Sequence, residues 1–229
     1  MVTVAAHQAG DPNPPRLPPG QIAGATLRRF GLPQFAPVLP QSPTYPVITV
    51  TGAVTRPTQI PLDSLIDPDQ RRGQRSDLHC VTTWSVRDLY WDGVPFRTVH
   101  EVLAARVGIA RAARWVTVIG LDGYRACIRL DDALADDVLL ADHLAGAPLG
   151  AEHGAPLRLV APAHYGYKSV KHVCAIEYRR DYDPGSAHWA AHPRGRVARE
   201  ERSRYLPGPL WRLIWRAVLP KVRRLYDQR

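Results

Sequence analysis

The clearest pattern of hydrophobic and polar positions is a set of short alternating segments, each typical of a β-strand. Residues 47–52 alternate and are rich in β-branched side chains, and residues 173–178 alternate in the same way. Residues 115–119 and 125–130 flank an Asp-Gly dipeptide, which is typical of a tight turn. We therefore predict strands at the first two segments and a β-hairpin formed by the last two.

Two short helices are expected between these strands. Thr98, with Glu101 three residues later, matches the start of a helix, which should end near Gly108. Asp131 is expected to cap a second, shorter helix.

The remaining apolar runs are brief. We expect strands at residues 78–84 and 157–160, and a turn at residues 91–95 because that segment contains glycine and proline. Short strands joined by small helices predict an α+β fold with mixed sheets.

Proline and charge divide the chain into three parts. Residues 1–43 are rich in proline, glycine and small polar residues, which favour extended backbone. We predict an N-terminal arm there, a folded domain over residues 44–184 and a basic C-terminal extension over residues 185–229. From Leu210 to Leu219, tryptophan, leucine and valine are interleaved with arginine, which predicts a short amphipathic helix.

This amphipathic helix has three open interpretations: it packs on its own domain, lies on a membrane surface through residues 206–229, or docks on a partner protein. The chain has 30 Lys and Arg residues against 21 Asp and Glu, a net charge of +9. Such a balance attracts anionic lipid, acidic proteins or nucleic acid. Because no nucleic-acid-binding motif accompanies the charge, we expect no nucleic-acid partner.

The composition suits one domain with extensions, since 45% of the 229 residues are apolar. Cys80, Cys127 and Cys174 are too few for a disulfide framework. The first twenty residues lack a basic segment followed by an apolar run, and no window has the length of a membrane span. We therefore expect a cytoplasmic protein, peripheral at the membrane if the amphipathic helix binds lipid.

Residue types that suit cofactor binding are concentrated in three motifs. The first, Asp-Leu-His-Cys-Val-Thr-Thr-Trp-Ser at 77–85, is followed by Trp-Asp-Gly-Val-Pro at 91–95. The second is His-Gly-Ala-Pro-Leu-Arg at 153–158, and the third is Tyr-Gly-Tyr-Lys-Ser-Val-Lys at 165–171. In these motifs and their order, the chain resembles the molybdopterin-binding domain of the sulfite oxidase superfamily over roughly residues 45–180. The resemblance implies the sulfite-oxidase-like fold, a molybdenum–molybdopterin cofactor and an N-terminal arm that wraps the core.

In the first motif, the resemblance makes Cys80 the thiolate ligand of molybdenum. A soft thiolate suits such a metal, and a metal-bound thiol is deprotonated without a separate base. His79 and Thr82 flank this ligand and are expected to contact the cofactor or shape its surroundings, although a structural role for His79 is an alternative. Cys127 and Cys174 lie in apolar, strand-like segments, where we expect structural roles.

In the second motif, the resemblance places His153 and Arg158 against the pterin and its phosphate. A planar guanidinium can bind an anion through two hydrogen bonds. An arginine inside an apolar strand also needs a counterion if it is buried. The alternative partner for Arg158 is a carboxylate of the protein itself.

In the third motif, the resemblance implies a phosphate site. The backbone N–H groups of Ser169 and Val170 are expected to bind phosphate oxygens, and Lys171 is expected to add positive charge. Lys168 is a further candidate for the cofactor site, with a solvated surface lysine as the alternative.

The substrate side of the site is less defined. Tyr124, Arg125 and Tyr165 are candidates by residue type and by nearness to the motifs. The chain resembles the shorter bacterial members of the superfamily, which include the catalytic subunit of a methionine sulfoxide reductase. The resemblance implies a molybdopterin-dependent oxidoreductase that transfers an oxygen atom at a small sulfite- or sulfoxide-type substrate.

The sequence shows no second redox centre, so we expect a separate electron-transfer protein as partner. Two other functions are considered: a non-catalytic scaffold that binds molybdopterin, and a membrane or partner adaptor that uses the basic extension. The presence of Cys80 argues against a scaffold, because storage of the cofactor needs no metal ligand.

Overall fold

The computed structural model describes residues 2–3 and 16–227 and has an α+β architecture. Within these residues the strands are β1 (Val2–Thr3), β2 (Ile22–Gly24), β3 (Thr26–Leu27), β4 (Val47–Gly52), β5 (Thr58–Pro61), β6 (Arg72–Cys80), β7 (Trp84–Pro95), β8 (Trp115–Gly120), β9 (Arg125–Arg129), β10 (Leu139–Leu144), β11 (Ala147–Pro148), β12 (Arg158–Val160) and β13 (Val173–Arg179). The α-helices are α1 (Phe96–Val107), α2 (Leu130–Ala133) and α3 (Gly208–Asp227). Single 3₁₀ turns lie at Pro33–Phe35, Leu62–Ser64, Pro68–Gln70, Ala151–His153 and Gly166–Lys168.

Two mixed sheets form the body of the domain. One has the order β5-β4-β13-β8-β9, in which β4 and β13 are parallel and the other neighbours are antiparallel. The other has the order β11-β10-β7-β2, with β12 paired to β10 and β6 paired to β7. A small pair, β1 with β3, lies apart from both sheets.

The main hydrophobic core lies between the two sheets and α1. Val50 and Ile176 come from the first sheet and Leu140 from the second, and all three side chains are almost completely buried. Helix α1 contributes Phe96 and Leu103, which lie on one face at helical spacing. A second cluster on the far side of the second sheet contains Leu78, Trp84, Val86, Trp91, Leu139 and Val160.

Several predicted elements are confirmed. The strands at 47–52 and 173–178 and the hairpin at 115–130 are present within one residue of the predicted bounds. Helix α1 ends as predicted, because Gly108 adopts the left-handed conformation with φ 65°.

The predicted turn at residues 91–95 is wrong, because this segment is the end of strand β7. Gly93 has another function than turning the chain: a Cβ there would lie 2.2 Å from the carbonyl oxygen of Leu140 on the neighbouring strand. Glycine is therefore required by the close approach of β7 and β10.

Two predicted helix caps are also wrong. Helix α1 begins at Phe96, before Thr98, because Phe96 is buried and its N–H donates to the carbonyl of Val138. Helix α2 begins at Leu130, so Asp131 lies inside its first turn and does not cap it. In both places tertiary packing outweighs the local capping signal.

The predicted strand at 78–84 also differs, since β6 ends at Cys80 and β7 begins at Trp84. The three residues between them form a tight turn in which Thr83 has a positive φ of 74°.

The C-terminal helix is longer than predicted and contains Pro220 in its interior. It continues past Leu219 because Val222 and Tyr226 are buried by packing against the N-terminal arm. In the described part of the chain, no helix combines the length and the apolar character needed to cross a bilayer.

Candidate cofactor site

A cavity of about 520 Å³ lies where the ends of β6 and β12 meet the loop that precedes β13. Five polar residues from these segments form one side of it, which we call the floor: Cys80, Thr82, Arg158, Ser169 and Lys171. The opposite side is mainly apolar and comes from the N-terminal arm, residues 186–190 and helix α3. The volume falls in the range of cavities that bind cofactors and other small molecules.

Cys80 is the last residue of β6, and the tight turn after it fixes its position. The N–H of Thr83 donates to the carbonyl of Cys80, and the Thr82 hydroxyl lies 3.0 Å from the Cys80 sulfur. Burial raises the pKa of the Cys80 thiol, while the contact with Thr82 and the positive charge of Arg223 lower it. The free thiol is therefore a poor thiolate by itself, and a bound metal would supply the stabilisation that the anion needs.

Arg158 is a buried cation on the floor. Its side chain donates one hydrogen bond, to the carbonyl of His153, and stacks on the ring of Trp91. Its Nε atom is buried without a partner. Burial lowers the Arg158 pKa to about 10.

Lys171 is the second floor cation. Its ammonium contacts the carbonyl oxygens of Phe30 and Glu152 at 3.5 and 3.4 Å, which are long hydrogen bonds. Burial, with the repulsion of nearby Arg158, lowers the Lys171 pKa to about 7.

Among the described residues, neither cation forms an ion pair, although Asp122 and Glu152 line the same cavity and their charges partly offset the lowering of the Lys171 pKa. Within residues 16–227, none of the ion pairs involves Arg158 or Lys171. Buried cations without a carboxylate are unfavourable unless a ligand brings negative charge. Within residues 16–227 no carboxylate pairs with Arg158, so the alternative of a protein carboxylate is not found there. The floor fits an anionic group beside a thiol, as in a phosphorylated cofactor whose metal is bound by Cys80.

Four of the nine predicted site residues do not line the cavity: His79, His153, Lys168 and Val170. His79 contacts the Ser85 hydroxyl through Nδ1 at 2.8 Å, so it bridges the two strands on either side of the tight turn at residues 81–83. His153 is buried next to Arg158, and burial lowers its pKa to about 4, so it is neutral. Each histidine contacts a neighbour of the floor, and the predicted contacts of His79 and His153 with the cofactor stay predictions.

Lys168 points away from the floor. Its ammonium donates to the carbonyl oxygens of Cys127 and Pro193, so it connects the core to the C-terminal extension. Burial lowers the Lys168 pKa to about 8. The structure therefore gives Lys168 a role inside the protein, in place of both the predicted cofactor contact and the solvated alternative.

The predicted phosphate site on the backbone also needs correction. The N–H of Ser169 donates to the carbonyl of Gly166, and the N–H of Val170 donates to that of Lys168, both at 3.1 Å. Neither N–H is free for a phosphate oxygen. Ser169 lines the cavity, and its hydroxyl accepts from the N–H of Ala161.

Of the three substrate-side candidates, Tyr124 alone lines the cavity, and its hydroxyl donates to the carbonyl of Tyr167 at 2.7 Å. Burial raises the Tyr124 pKa, so the phenol stays neutral. Arg125 forms ion pairs with Asp183 and Glu177. Tyr165 is fully buried and accepts from the N–H of Ala198.

Sequence reasoning missed the apolar side of the cavity. Residues 27–35 of the arm and the inner face of α3 both lie against it. The available signal was the spacing of Trp211, Trp215, Leu219 and Val222, which places them on one face of a helix.

Comparisons with known proteins agree with this site. The family model described as "Oxidoreductase molybdopterin binding domain" matches residues 37–187, which contain the whole floor. The uncharacterised oxidoreductase YuiH of Bacillus subtilis is 34% identical over 138 residues, covering 60% of this chain and 67% of that protein.

Two named methionine sulfoxide reductases are also similar. The protein-methionine-sulfoxide reductase catalytic subunit MsrP of Xanthomonas campestris is 33% identical, covering 57% of this chain and 44% of that protein. The corresponding subunit of Gluconobacter oxydans is 29% identical, covering 68% of this chain and 54% of that protein. The chain thus spans about half the length of these two relatives.

Among solved structures, the sulfane dehydrogenase SoxCD from Paracoccus pantotrophus has a similar fold. The TM-score is 0.53 at 21% identity, covering 66% of this chain and 43% of that chain. The sulfite-oxidase-like fold expected from the motifs is therefore confirmed. The chain belongs to the oxidoreductase molybdopterin-binding domain family, and its cofactor is molybdenum–molybdopterin.

Proposed function

We propose that this protein transfers an oxygen atom at a small sulfur compound of the sulfoxide or sulfite type. The observation that carries the proposal is the floor, where the Cys80 thiol shares one cavity with Arg158 and Lys171, two cations that form no ion pair within residues 16–227. Arg158 and Lys171 would hold the phosphate of the pterin, and Cys80 would ligate the metal. When bound, the cofactor would supply the two-electron redox chemistry that moves the oxygen atom.

The residues of the chain would bind, orient and exclude water. Thr82 would hold the Cys80 sulfur in position through its 3.0 Å contact. The neutral phenol of Tyr124 lies on the cavity wall, held there by the hydrogen bond that it donates to the carbonyl of Tyr167. The apolar wall opposite would keep bulk water away from the reacting atoms.

A sulfoxide gains two electrons and two protons as it becomes a sulfide and water, and the oxidation of sulfite to sulfate runs in the opposite sense. Either direction needs an electron-transfer protein, which we propose as a separate partner. The names of the relatives, methionine sulfoxide reductases, favour the reductive direction. Cytoplasmic location and membrane contact through residues 206–229 remain predictions.

The test is a turnover assay on protein loaded with cofactor, using reduced viologen with methyl phenyl sulfoxide and ferricyanide with sulfite. We expect reduction of the sulfoxide at a rate that follows the molybdenum content of the preparation. Fully loaded protein that uses neither substrate would contradict the proposal and favour the scaffold.

A further inference from the structure

Two parts of the apolar side of the cavity form a roof, which we define as residues 27–35 of the arm together with helix α3; residues 186–190 complete that side. Trp211 and Trp215 of α3 stack on each other with ring centroids 5.2 Å apart, and both line the cavity. Leu219 and Val222 extend this lining along the helix. The helix therefore has its inner face above the floor that carries Cys80.

The two parts of the roof are joined to each other. The Tyr226 hydroxyl donates to the carbonyl of Leu32 at 2.8 Å, and its ring stacks on Phe30 with centroids 5.8 Å apart. Arg28 and Asp227 form an ion pair at 3.8 Å. The arm and α3 thus hold each other over the cavity, although they lie nearly 200 residues apart in the sequence.

Both parts of the roof lie outside the segment that matches the family, which begins at residue 37 and ends at residue 187. The floor lies entirely inside that segment. The cofactor site thus lies in the segment that matches the family, whereas the roof over it comes from the flanking segments.

We infer that the roof restricts this enzyme to free small molecules with an apolar body and excludes sulfoxides carried on a protein. A helix with its side chains is about 10 Å thick. A methionine side chain, at about 1.5 Å for each bond, extends roughly 5 Å from its backbone. A protein surface resting on the outer face of α3 cannot bring such a side chain through the helix to the floor. The aromatic and aliphatic roof favours a substrate whose groups beside the sulfur are uncharged.

This inference rests on the proposed function for its substrate, but the roof itself can be tested without turnover. Cofactor-free chain would be treated, at mildly alkaline pH, with iodoacetamide and with a maleimide carrying a polyethylene glycol chain. Peptide mass mapping would report the labelling of each cysteine. The variants are Trp211→Ala/Trp215→Ala, which opens the roof, and Leu213→Ala, a control on the exposed face of the same helix.

We expect the bulky reagent to label Cys80 slowly in wild-type and Leu213→Ala protein, and faster by about tenfold or more in the double variant, because local opening governs access. Buried Cys127 reports global unfolding, since it should stay unlabelled. If Cys127 of the double variant is labelled, that variant has unfolded, and Tyr226→Phe provides a milder test because it removes only the hydrogen bond to Leu32. Fast labelling of wild-type Cys80 by the bulky reagent, or no change in a folded variant, would overturn the inference.

A second experiment tests the substrates. Enzyme loaded with the cofactor is assayed with methyl phenyl sulfoxide and with oxidised casein that carries methionine sulfoxide. We expect the wild type to reduce only the free sulfoxide, and the double variant to gain activity on casein. Equal efficiency of the wild type on both substrates would overturn the inference. Failure on both would instead contradict the proposed function, while the labelling result still decides whether the roof closes the site.

Discussion

The floor and the roof of the cavity are built from opposite kinds of interactions. The floor carries a thiol and a buried guanidinium at the ends of strands and a half-buried ammonium in the loop before β13, all inside the segment that matches the family. The roof is held by aromatic stacking, a hydrogen bond and an exposed ion pair between the arm and α3, outside that segment. The difference places the groups suited to cofactor binding in the family core and the cover of the cavity mainly in the flanks.

The largest expected effect is on the floor, at the metal ligand. Cys80→Ser replaces the soft thiolate with a hydroxyl that binds the metal poorly. We expect turnover to fall by more than about 100-fold, since even residues that only orient a metal ligand change activity by about 10–100-fold. Assays normalised to pterin content would measure it. Cys174→Ser is the matched control, because Cys174 lies outside the cavity lining. Equal activity of the two variants would contradict the assignment of Cys80.

Arg158→Met should have opposite effects on cofactor binding and on the stability of the cofactor-free protein. Loss of the guanidinium should weaken cofactor binding by about 2–5 kcal/mol, the usual cost of breaking a buried charge pair. The cofactor-free protein should gain about 1 kcal/mol or more, because a buried unpaired charge is removed. Fluorescence titration with released cofactor and urea unfolding would measure the two effects. A variant that binds the cofactor normally would contradict the anion site.

Lys171 and Lys168 lie three residues apart, and substitutions at both test the assignment of Lys171, and not Lys168, to the floor. Lys171→Met should weaken cofactor binding. Lys168→Met should leave binding unchanged but destabilise the fold by about 1–3 kcal/mol, because the buried carbonyls of Cys127 and Pro193 lose their donor. The same two measurements apply. Weaker binding in Lys168→Met alone would restore the sequence-based interpretation.

The smallest expected effect is the change in cofactor affinity with pH. The Lys171 pKa is lowered to about 7 in the folded chain, against about 10.4 in an unfolded chain. Binding of a phosphate needs the ammonium, so affinity for the cofactor should fall as pH rises above about 7.

As pH rises, the stability of the cofactor-free chain should increase while its affinity for the cofactor falls. The unfolded chain binds more protons than the folded one between about pH 7 and pH 10, so stability rises with pH there. Lys168, with its pKa lowered to about 8, adds to this rise of stability with pH but has no effect on the pH dependence of cofactor affinity. Titrations of affinity and unfolding across this range would measure both. A flat affinity profile would contradict the role of Lys171.

Most of the fold was predictable because alternation of apolar residues determines which segments become strands. The motifs located Cys80, Thr82, Arg158, Ser169 and Lys171, all of which line one cavity. The direction of a side chain was harder to predict: Lys168 and Lys171 share one motif, but the 3₁₀ turn at Gly166–Lys168 sends the first toward Cys127.

The roof was not predictable from motifs. Its contacts join Phe30 and Leu32 to Tyr226, and no local pattern relates segments so far apart in sequence. The amphipathic pattern of α3 indicated that one face would be buried, but it did not identify the surface that buries it. Of the three open interpretations of this helix, the structure shows packing on its own domain.

The central claim is that the floor binds one molybdenum–molybdopterin per chain. The most direct measurement is the molybdenum and pterin content of the purified protein, expressed in a host that makes the cofactor, beside Arg158→Met. We predict about one metal and one pterin per wild-type chain, and loss of both from the variant. Well-folded wild-type protein without molybdenum or pterin would contradict the account.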